Sequence, residues 1–371
     1  MGKNITSGYV SGDGHVVEPA DLWTTRMDKR FRNQAPRIDS RPDGDYILIE
    51  GLQPWPIGSE GAMINDKTSG QIKSLGGYRY GANRPGAFDP HARLTDQELD
   101  NLRAEVTYPN VFGFLLFSIE DAEYQRACIQ VFNDWAGEFC TVAPERLLGV
   151  GILPTAGPVD WAIEEARRVA KKGLRSVLLP AEPDRSYFVQ SAYWEPLWPV
   201  LQDLNVVVAF HVATGGKSFM RRFERIGIVP GIVKNKMMTF MPASELICAG
   251  VPQRYPGLRF VLAEAGIGHL AYAVRFMDHW WEAHHHWMEL PERPSVYFHQ
   301  HFWATFETDR AGLLTRELLN VDHLMWGSDY PHTEGTFPRS REQIAKDFAG
   351  IPEAEVYKIV VDNAARLYGV E

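Results

Sequence analysis

The stretch Trp-Gly-Ser-Asp-Tyr-Pro-His at residues 326–332 decides the interpretation of this sequence. It continues the apolar run of Leu324 and Met325 and ends it with a small-residue turn that carries Asp329. A carboxylate at the end of a buried strand is costly to place unless it binds a metal ion or a proton. The stretch therefore predicts the end of a strand in a parallel sheet, with Asp329 as a candidate functional residue.

The overall composition is ordinary for a globular protein, with 371 residues, 45% hydrophobic residues and 23% charged residues. The net charge of −9 and the lack of a long basic run argue against a nucleic-acid-binding surface. No run of about 18 apolar residues is present, so we expect no membrane span. Three scattered cysteines and an N-terminus without a signal-peptide pattern predict reduced thiols and a cytoplasmic location.

Seven further segments resemble the strand that ends before Asp329, because they are short and rich in β-branched and aromatic residues. Most are followed by an amphipathic helical pattern, for example at residues 123–142, 161–172 and 353–368. Eight such repeats predict a (β/α)8 TIM barrel, an α/β fold, and a doubly wound open sheet is the alternative. The predicted strands are residues 9–12, 105–111, 147–153, 174–179, 206–210, 258–263, 302–306 and 323–326.

Two segments interrupt this repeat. Residues 24–95 are rich in Gly, Pro, Arg and Asp, and we interpret them as an insertion after strand 1 that folds over the barrel mouth. A disordered loop is the alternative, which the aromatic content disfavours. Residues 212–236 predict a long loop after strand 5. With these additions, residues 1–371 are expected to form a single TIM-barrel domain.

Polar residues stand where several predicted strands end, and in an α/β barrel such residues meet in one pocket. Asp13 and His15 follow strand 1 and point to the same side of an extended chain, while His211 follows strand 5 and Asp329 follows strand 8. Taken singly, each has a structural alternative as a turn, loop or core residue. Together, two imidazoles and two carboxylates suit one divalent metal ion, with zinc favoured and manganese as the alternative.

The sequence also resembles the amidohydrolase superfamily, in the branch related to aminocarboxymuconate-semialdehyde decarboxylase and γ-resorcylate decarboxylase. The resemblance covers nearly the whole chain and implies a homo-oligomer (dimer or tetramer) and a single divalent metal ion. It implies that Asp13, His15, His211 and Asp329 hold the metal, and that Asp329 also accepts a proton during catalysis. The matching segments are residues 12–19, 145–149, 210–211, 255–260, 327–332 and 363–369.

One position departs from that pattern. The decarboxylases of the branch carry a histidine after strand 6 that acts on the substrate, whereas this sequence has Glu264, and the nearest imidazole is His269. A desolvated glutamate can serve as a general acid or base, and a purely structural role bonding backbone groups is the alternative. We therefore expect hydrolysis rather than decarboxylation.

Three further residues are secondary candidates. His332 follows Asp329 by three positions, and we expect it to contact the substrate as part of the catalytic group. Glu18 and His269 are candidate substrate-binding residues, although Glu18 equally fits a helix start. The run His284–His286 is expected at the surface or the pocket rim.

The sequence thus predicts a metal-dependent amidohydrolase-family enzyme. A metal-activated water would attack a carbonyl-type carbon of a small carboxylated or aromatic substrate. The alternative is a nonoxidative metal-dependent decarboxylase, a carboxy-lyase, of a hydroxylated aromatic or unsaturated acid. A catalytically silent binding barrel is an alternative of another class. A small-molecule substrate is expected, with no nucleic-acid or membrane partner.

Overall fold

The computed structural model describes residues 8–57, 78–182, 192–216, 228–287 and 289–370. Eight parallel strands pair in chain order and form a nearly closed barrel, and three short antiparallel strands form a separate sheet. This arrangement confirms the predicted (β/α)8 fold class. In chain order the strands are β1 (Tyr9–His15), β2 (Arg37–Arg41), β3 (Gly44–Leu48), β4 (Trp55–Pro56), β5 (Leu102–Tyr108), β6 (Leu147–Ile152), β7 (Ser176–Glu182), β8 (Val207–Gly215), β9 (Phe260–Ala263), β10 (Phe302–Phe306) and β11 (Leu324–Trp326).

Helices connect the barrel strands. Within the described ranges, no helix has both the length and the apolar character that crossing a membrane requires. The helices are Leu22–Arg26, Pro90–Leu99, Val111–Leu115, Ala122–Thr141, Val159–Lys171, Leu197–Asp203, Ile228–Met238, Met241–Cys248, Val251–Arg254, Gly268–His284, Pro294–His301, Arg310–Leu314, Ser340–Asp347, Glu353–Tyr357 and Asn363–Tyr368.

The barrel strands are buried along almost their whole length. Every residue of β6 and β9 is buried, as expected for parallel strands that are covered by helices on one face and by the barrel core on the other. The predicted strands all exist, and β10 has the predicted bounds. Strand β8 extends beyond the predicted end at Phe210, because pairing with β7 continues past an irregularity near Ala213, whose φ is 61°.

The two interrupting segments are partly described. Residues 37–56 contain the antiparallel sheet β2-β3-β4, and residues 58–77 of the predicted insertion lie outside the described residues. The insertion contacts the turn after β1, since Val17 N–H donates to the Ala87 carbonyl at 2.8 Å. Its placement over the barrel mouth, and the single-domain division, stay predictions. The second part of the predicted loop after strand 5 forms the helix Ile228–Met238.

The helix predicted over residues 353–368 contains a change of helical type. A π-helical stretch, Lys358–Asp362, separates Glu353–Tyr357 from Asn363–Tyr368, and it buries Ile359, Val360 and Val361. Sequence periodicity did not indicate the wider turn, because the apolar positions fit both helix types closely over so short a stretch.

The barrel closes where the turn after β11 meets β1. Asp329 N–H donates to the Asp13 carbonyl at 3.0 Å, and Ser328 N–H donates to Ser11 Oγ at 2.9 Å. The close approach requires glycine at position 327, because a Cβ atom there would lie 2.5 Å from the Cβ of Asp13. The closure therefore holds the ends of the first and last barrel strands together.

We expect Gly327→Ala to lower the free energy of unfolding by about 1–3 kcal/mol, because Asp13 Cβ is attached directly to the backbone and cannot rotate away. Thermal unfolding measures the effect. Gly81→Ala is the matched control, since a Cβ atom at Gly81 meets no described atom within 4 Å. Equal melting temperatures for the two variants would contradict this account of the closure.

Candidate metal centre

The polar residues predicted to converge do lie together at the carboxyl end of the barrel. Asp13 and His15 stand at the end of β1, His211 lies within β8, and Asp329 follows β11. Their side chains are at most 1% exposed. Glu264 follows β9 and borders the same group. Five side chains from four strands thus share one buried space.

The ligand atoms of the four candidate residues are close to one another. His15 Nε2 lies 3.3 Å from Asp329 Oδ1 and 3.8 Å from Asp13 Oδ1. His211 Nε2 lies 3.5 Å from the same Asp13 oxygen. The atoms of Asp13, His15 and His211 lie within 4.8 Å of one another, and so do those of His15, Glu264, Asp329 and His332. His15 belongs to both groups, so the two form one continuous cluster.

Both imidazoles present the same nitrogen to the cluster. His15 Nδ1 lies 2.9 Å from the carbonyl of Pro109, and His211 Nδ1 lies 2.8 Å from the carbonyl of Val212. Because a carbonyl can only accept, each Nδ1 carries the proton and each Nε2 carries a lone pair. Burial lowers the pKa of His15 to about 4, with His332 lowering it further and Asp329 opposing this. His15 is therefore neutral near pH 7, which is the form that binds a metal.

Several polar atoms of the cluster are buried without a hydrogen-bond partner among the described residues, namely Asp13 Oδ1, His15 Nε2, His211 Nε2 and Asp329 Oδ2. Each such atom costs about 1–3 kcal/mol when left unsatisfied. All are lone-pair donors, and no proton donor is directed at them. This donor set fits one divalent cation, which would satisfy all four atoms together.

Asp329 faces two imidazoles, and His332 favours its ionised form. Burial alone would raise the pKa of Asp329, but His332 lowers it well below the ordinary range. His332 Nδ1 lies 2.8 Å from Asp329 Oδ1, and the His332 ring stacks on His15 with centroids 4.1 Å apart. The structure thus places His332 beside Asp329, and contact of His332 with a substrate stays a prediction.

Thr305 in β10 contacts residues at the ends of β1 and β9, and the sequence did not predict this role. Its hydroxyl donates to Asp13 Oδ2 at 2.7 Å and accepts from Glu264 N–H at 2.6 Å. Glu264 and Asp329 both have left-handed backbone conformations, with φ of 52° and 55°. Such conformations cost about 1–2 kcal/mol for a residue with a Cβ atom. Both carboxylates thus occupy strained positions, a feature that often accompanies functional sites.

A buried ion pair between Arg93 and Glu105 contacts the end of β1. Arg93 Nη1 lies 2.7 Å from Glu105 Oε2, and the two side chains are 1% and 0% exposed. Arg93 also donates to the carbonyl of His15, and Glu105 accepts from Ser328 Oγ at 2.8 Å. Gly14 lacks a side chain where Glu105 lies, since a Cβ atom there would be 2.2 Å from Glu105 Oε1. The sequence carried no signal for this pair.

Glu264 contacts a second charged group on its other side. Lys236, from the helix Ile228–Met238, lies 3.4 Å from Glu264 Oε1 and 2.8 Å from an oxygen of Glu307, which follows β10. Burial raises the pKa of Glu264 well above its ordinary value, and the nearby Asp329 raises it further while Lys236 opposes this. Polar residues that follow barrel strands are expected in one pocket, and this rule, called the strand-end rule below, applies to Glu307 as well as to Glu264. No sequence pattern indicates Lys236.

Glu18 and His269 are not part of the cluster. Glu18 Oε1 accepts backbone N–H groups of Asn110 at 3.2 Å and Gly113 at 3.0 Å, so it binds the start of a neighbouring helix. His269 lies in the first turn of Gly268–His284, and burial lowers its pKa. Their substrate-binding roles stay predictions. The run at residues 284–286 lies at the end of that helix, mostly exposed.

Comparison with known proteins identifies the family. The sequence pattern that defines the amidohydrolase family matches residues 53–370, and the chain belongs to that family. The resemblance inferred from the sequence motifs is thus confirmed. We identify the chain as a metal-dependent enzyme, either a hydrolase or a carboxy-lyase. No curated protein matches its sequence.

Solved structures share the fold over nearly the whole chain. An amidohydrolase from Mycobacterium avium subsp. paratuberculosis K-10 is 21% identical, with a TM-score of 0.77, and the match covers 98% of this chain and 99% of the other. A 2,6-dihydroxybenzoate decarboxylase from Rhizobium is 17% identical, with a TM-score of 0.67 and the same coverage. A dihydroxybenzoic acid decarboxylase from Polaromonas sp. JS666, with bound manganese and the inhibitor 2-nitroresorcinol, is 18% identical, with a TM-score of 0.66 and coverage of 98% and 97%.

The buried carboxyl group of Glu18 makes a pH-dependent prediction. Burial raises its pKa from 4.5 to about 7, although the N–H groups of Asn110 and Gly113 lower it. Between these values the native state binds a proton that the unfolded chain has lost, so this contribution to stability decreases as pH rises. The free energy of unfolding of Glu18→Gln should therefore rise by about 3 kcal/mol, relative to that of the native sequence, as the pH increases from 4.5 to 8.

Thermal unfolding across that pH range provides the measurement. The exposed Glu353→Gln is the control, and its melting temperature should differ from that of the native chain by a constant amount. A constant difference for Glu18→Gln as well would show that Glu18 is ionised throughout.

Proposed function

We propose that this chain is a nonoxidative, metal-dependent decarboxylase of a hydroxylated aromatic or unsaturated acid. The observation that carries the proposal is the single buried cluster of two imidazoles and two carboxylates, with the Glu264 carboxyl group beside it. Support for the reaction class comes from the 2,6-dihydroxybenzoate decarboxylase and the dihydroxybenzoic acid decarboxylase that share the fold. The proposal reverses the preference for hydrolysis that Glu264 suggested in the sequence.

We infer that Asp13, His15, His211 and Asp329 hold one divalent ion. Their unpartnered, buried lone pairs support this inference. The Polaromonas relative has bound manganese, and the mixture of oxygen and nitrogen ligands suits either manganese or zinc. A bound divalent cation would supply electrophilic stabilisation of the hydroxyl and carboxylate oxygens of the substrate.

The side chains of this protein have distinct tasks in the proposed reaction. Asp329, whose ionised form His332 favours, accepts a hydrogen bond or a proton from the substrate hydroxyl. Glu264 in its protonated form donates a proton to the carbon that bears the carboxylate. The bond from this carbon to the carboxyl carbon then breaks, CO2 leaves, and the electron pair of that bond restores the unsaturated system. Any proton taken by Asp329 returns to the hydroxyl oxygen of the product, and solvent reprotonates Glu264. The burial that raises the pKa of Glu264 favours this protonated form.

Hydrolysis is the second candidate, and the position of Asp329 and Glu264 in one buried group favours it. Asp329 can hold and orient a water molecule, and Glu264 can then protonate the leaving group. Both reactions use a small-molecule substrate. A homo-oligomer and a cytoplasmic location stay predictions.

The proposed ligand set predicts one metal ion per chain. After removal of metal with a chelator and reloading with manganese or zinc, elemental analysis should find about one ion per chain. His211→Asn should lower the metal affinity at least tenfold, because it removes a directly bound nitrogen. His286→Asn, at an exposed position, is the control. Less than about a tenth of an ion per native chain in excess metal would contradict the proposal.

Product analysis separates the two reactions. We expect metal-loaded protein to release CO2 from one of a panel of hydroxybenzoates, and in D2O the product should carry one deuterium at the carbon that lost CO2. Glu264→Gln should lower kcat about 100-fold or more, as expected for loss of a general acid. Asp329→Asn should abolish turnover. Incorporation of ¹⁸O from labelled water into an amide or lactone product, without CO2 release, would establish hydrolysis instead.

A further inference from the structure

Lys236 contacts Glu264 and Glu307, which follow the adjacent strands β9 and β10. Its Nζ atom lies 2.8 Å and 3.2 Å from the two oxygens of Glu307 and 3.4 Å from Glu264 Oε1. The Lys236 side chain is 29% exposed, whereas the two glutamates are about 10% exposed or less. The lysine thus reaches down from its helix to carboxylates at the barrel mouth.

Each oxygen of Glu264 faces a different partner. Oε1 faces Lys236, and Oε2 lies 3.8 Å from His211 Nε2, one of the proposed metal-binding atoms. The backbone of Glu264 is fixed by its N–H bond to Thr305 Oγ1. A glutamate side chain has three rotatable bonds, so a fixed backbone does not orient its carboxyl group. The contact with the Lys236 ammonium group, 3.4 Å from Oε1, supplies the missing constraint for an ionised or a protonated carboxyl group.

We propose that Lys236, itself held by Glu307, is a positioning residue that directs the carboxyl group of Glu264 toward the metal site. The inference rests on the catalytic role given to Glu264 in the proposed function. Without Lys236, Oε1 of Glu264 would lose this contact and the carboxyl group would lose its orientation.

Lys234 provides a matched control on the same helix. Its Nζ atom lies 3.6 Å from Glu182, which ends β7. Lys234→Met therefore removes a lysine and an ion pair from Ile228–Met238 without changing the contacts of Glu264. We expect its kcat and KM to stay within about threefold of the native values.

The principal test is a double-mutant cycle on CO2 release from the hydroxybenzoate with the highest turnover. We expect Lys236→Met to lower kcat by 10-fold to 100-fold with KM within about threefold, and Lys236→Arg to restore most of the loss. If Lys236 acts through Glu264, Lys236→Met combined with Glu264→Gln should be no slower than Glu264→Gln alone. Independent, multiplied losses would overturn the inference.

Thermal unfolding of the metal-free variants tests the interaction without activity. Lys236→Met removes the charged partner of two buried carboxyl groups and should lower the melting temperature. Adding Glu264→Gln should recover part of that loss, and equal, independent shifts would overturn the inference. Elemental analysis should find the native metal content in Lys236→Met, since Lys236 touches none of the four proposed ligands in the described part of the chain.

The outcomes also separate this inference from the proposed function. If Glu264→Gln keeps activity within threefold, the catalytic role of Glu264 is wrong and the inference fails with it. If Glu264→Gln is inactive but Lys236→Met equals Lys234→Met, only the inference about Lys236 fails. Hydrolysis instead of CO2 release, with the double-mutant cycle as expected, would overturn the proposed reaction and leave the role of Lys236 intact.

Discussion

The hydrogen bond from Asp329 N–H to the Asp13 carbonyl joins the last barrel strand to the first, and the site depends on this closure. It brings together two carboxylates from opposite ends of the sequence. The packing leaves no room for a side chain at Gly327, so the turn lies directly against Asp13. The contact between β1 and the turn after β11 therefore both closes the barrel and places Asp13 beside Asp329.

Electrostatic balance explains why the buried groups are compatible. His332 favours the ionised form of Asp329, and each imidazole of the proposed ligand pair is oriented by a backbone carbonyl. Behind β1, the pair of Arg93 and Glu105 is compensated within the protein. The unpartnered atoms of the four candidate ligands, Asp13 Oδ1, His15 Nε2, His211 Nε2 and Asp329 Oδ2, all carry lone pairs. A divalent cation would complete this balance, which apolar packing could not do.

Prediction from sequence succeeded where local pattern and barrel topology act together. Apolar runs predicted all eight barrel strands, and the strand-end rule placed Asp13, His15, His211 and Asp329 in one cluster. The same rule, applied to β10, would have found Glu307. The rule does not apply to Lys236, because Lys236 lies on a helix and its contacts with distant carboxylates leave no pattern in the sequence. Glu18 binds backbone N–H groups at the start of the helix Val111–Leu115, and its substrate-binding role stays a prediction.

The sequence by itself determined the family, the barrel and the residue types that meet at its mouth, because strand periodicity and motif spacing are local properties of the chain. Only the tertiary structure decided which nitrogen each histidine presents, which groups face Asp329, and that Lys236 lies 3.4 Å from Glu264. These properties depend on burial and on distances between segments that are remote in sequence. The stretch at residues 326–332 predicted the site, and packing against β1 placed Asp329 beside His15 and His332.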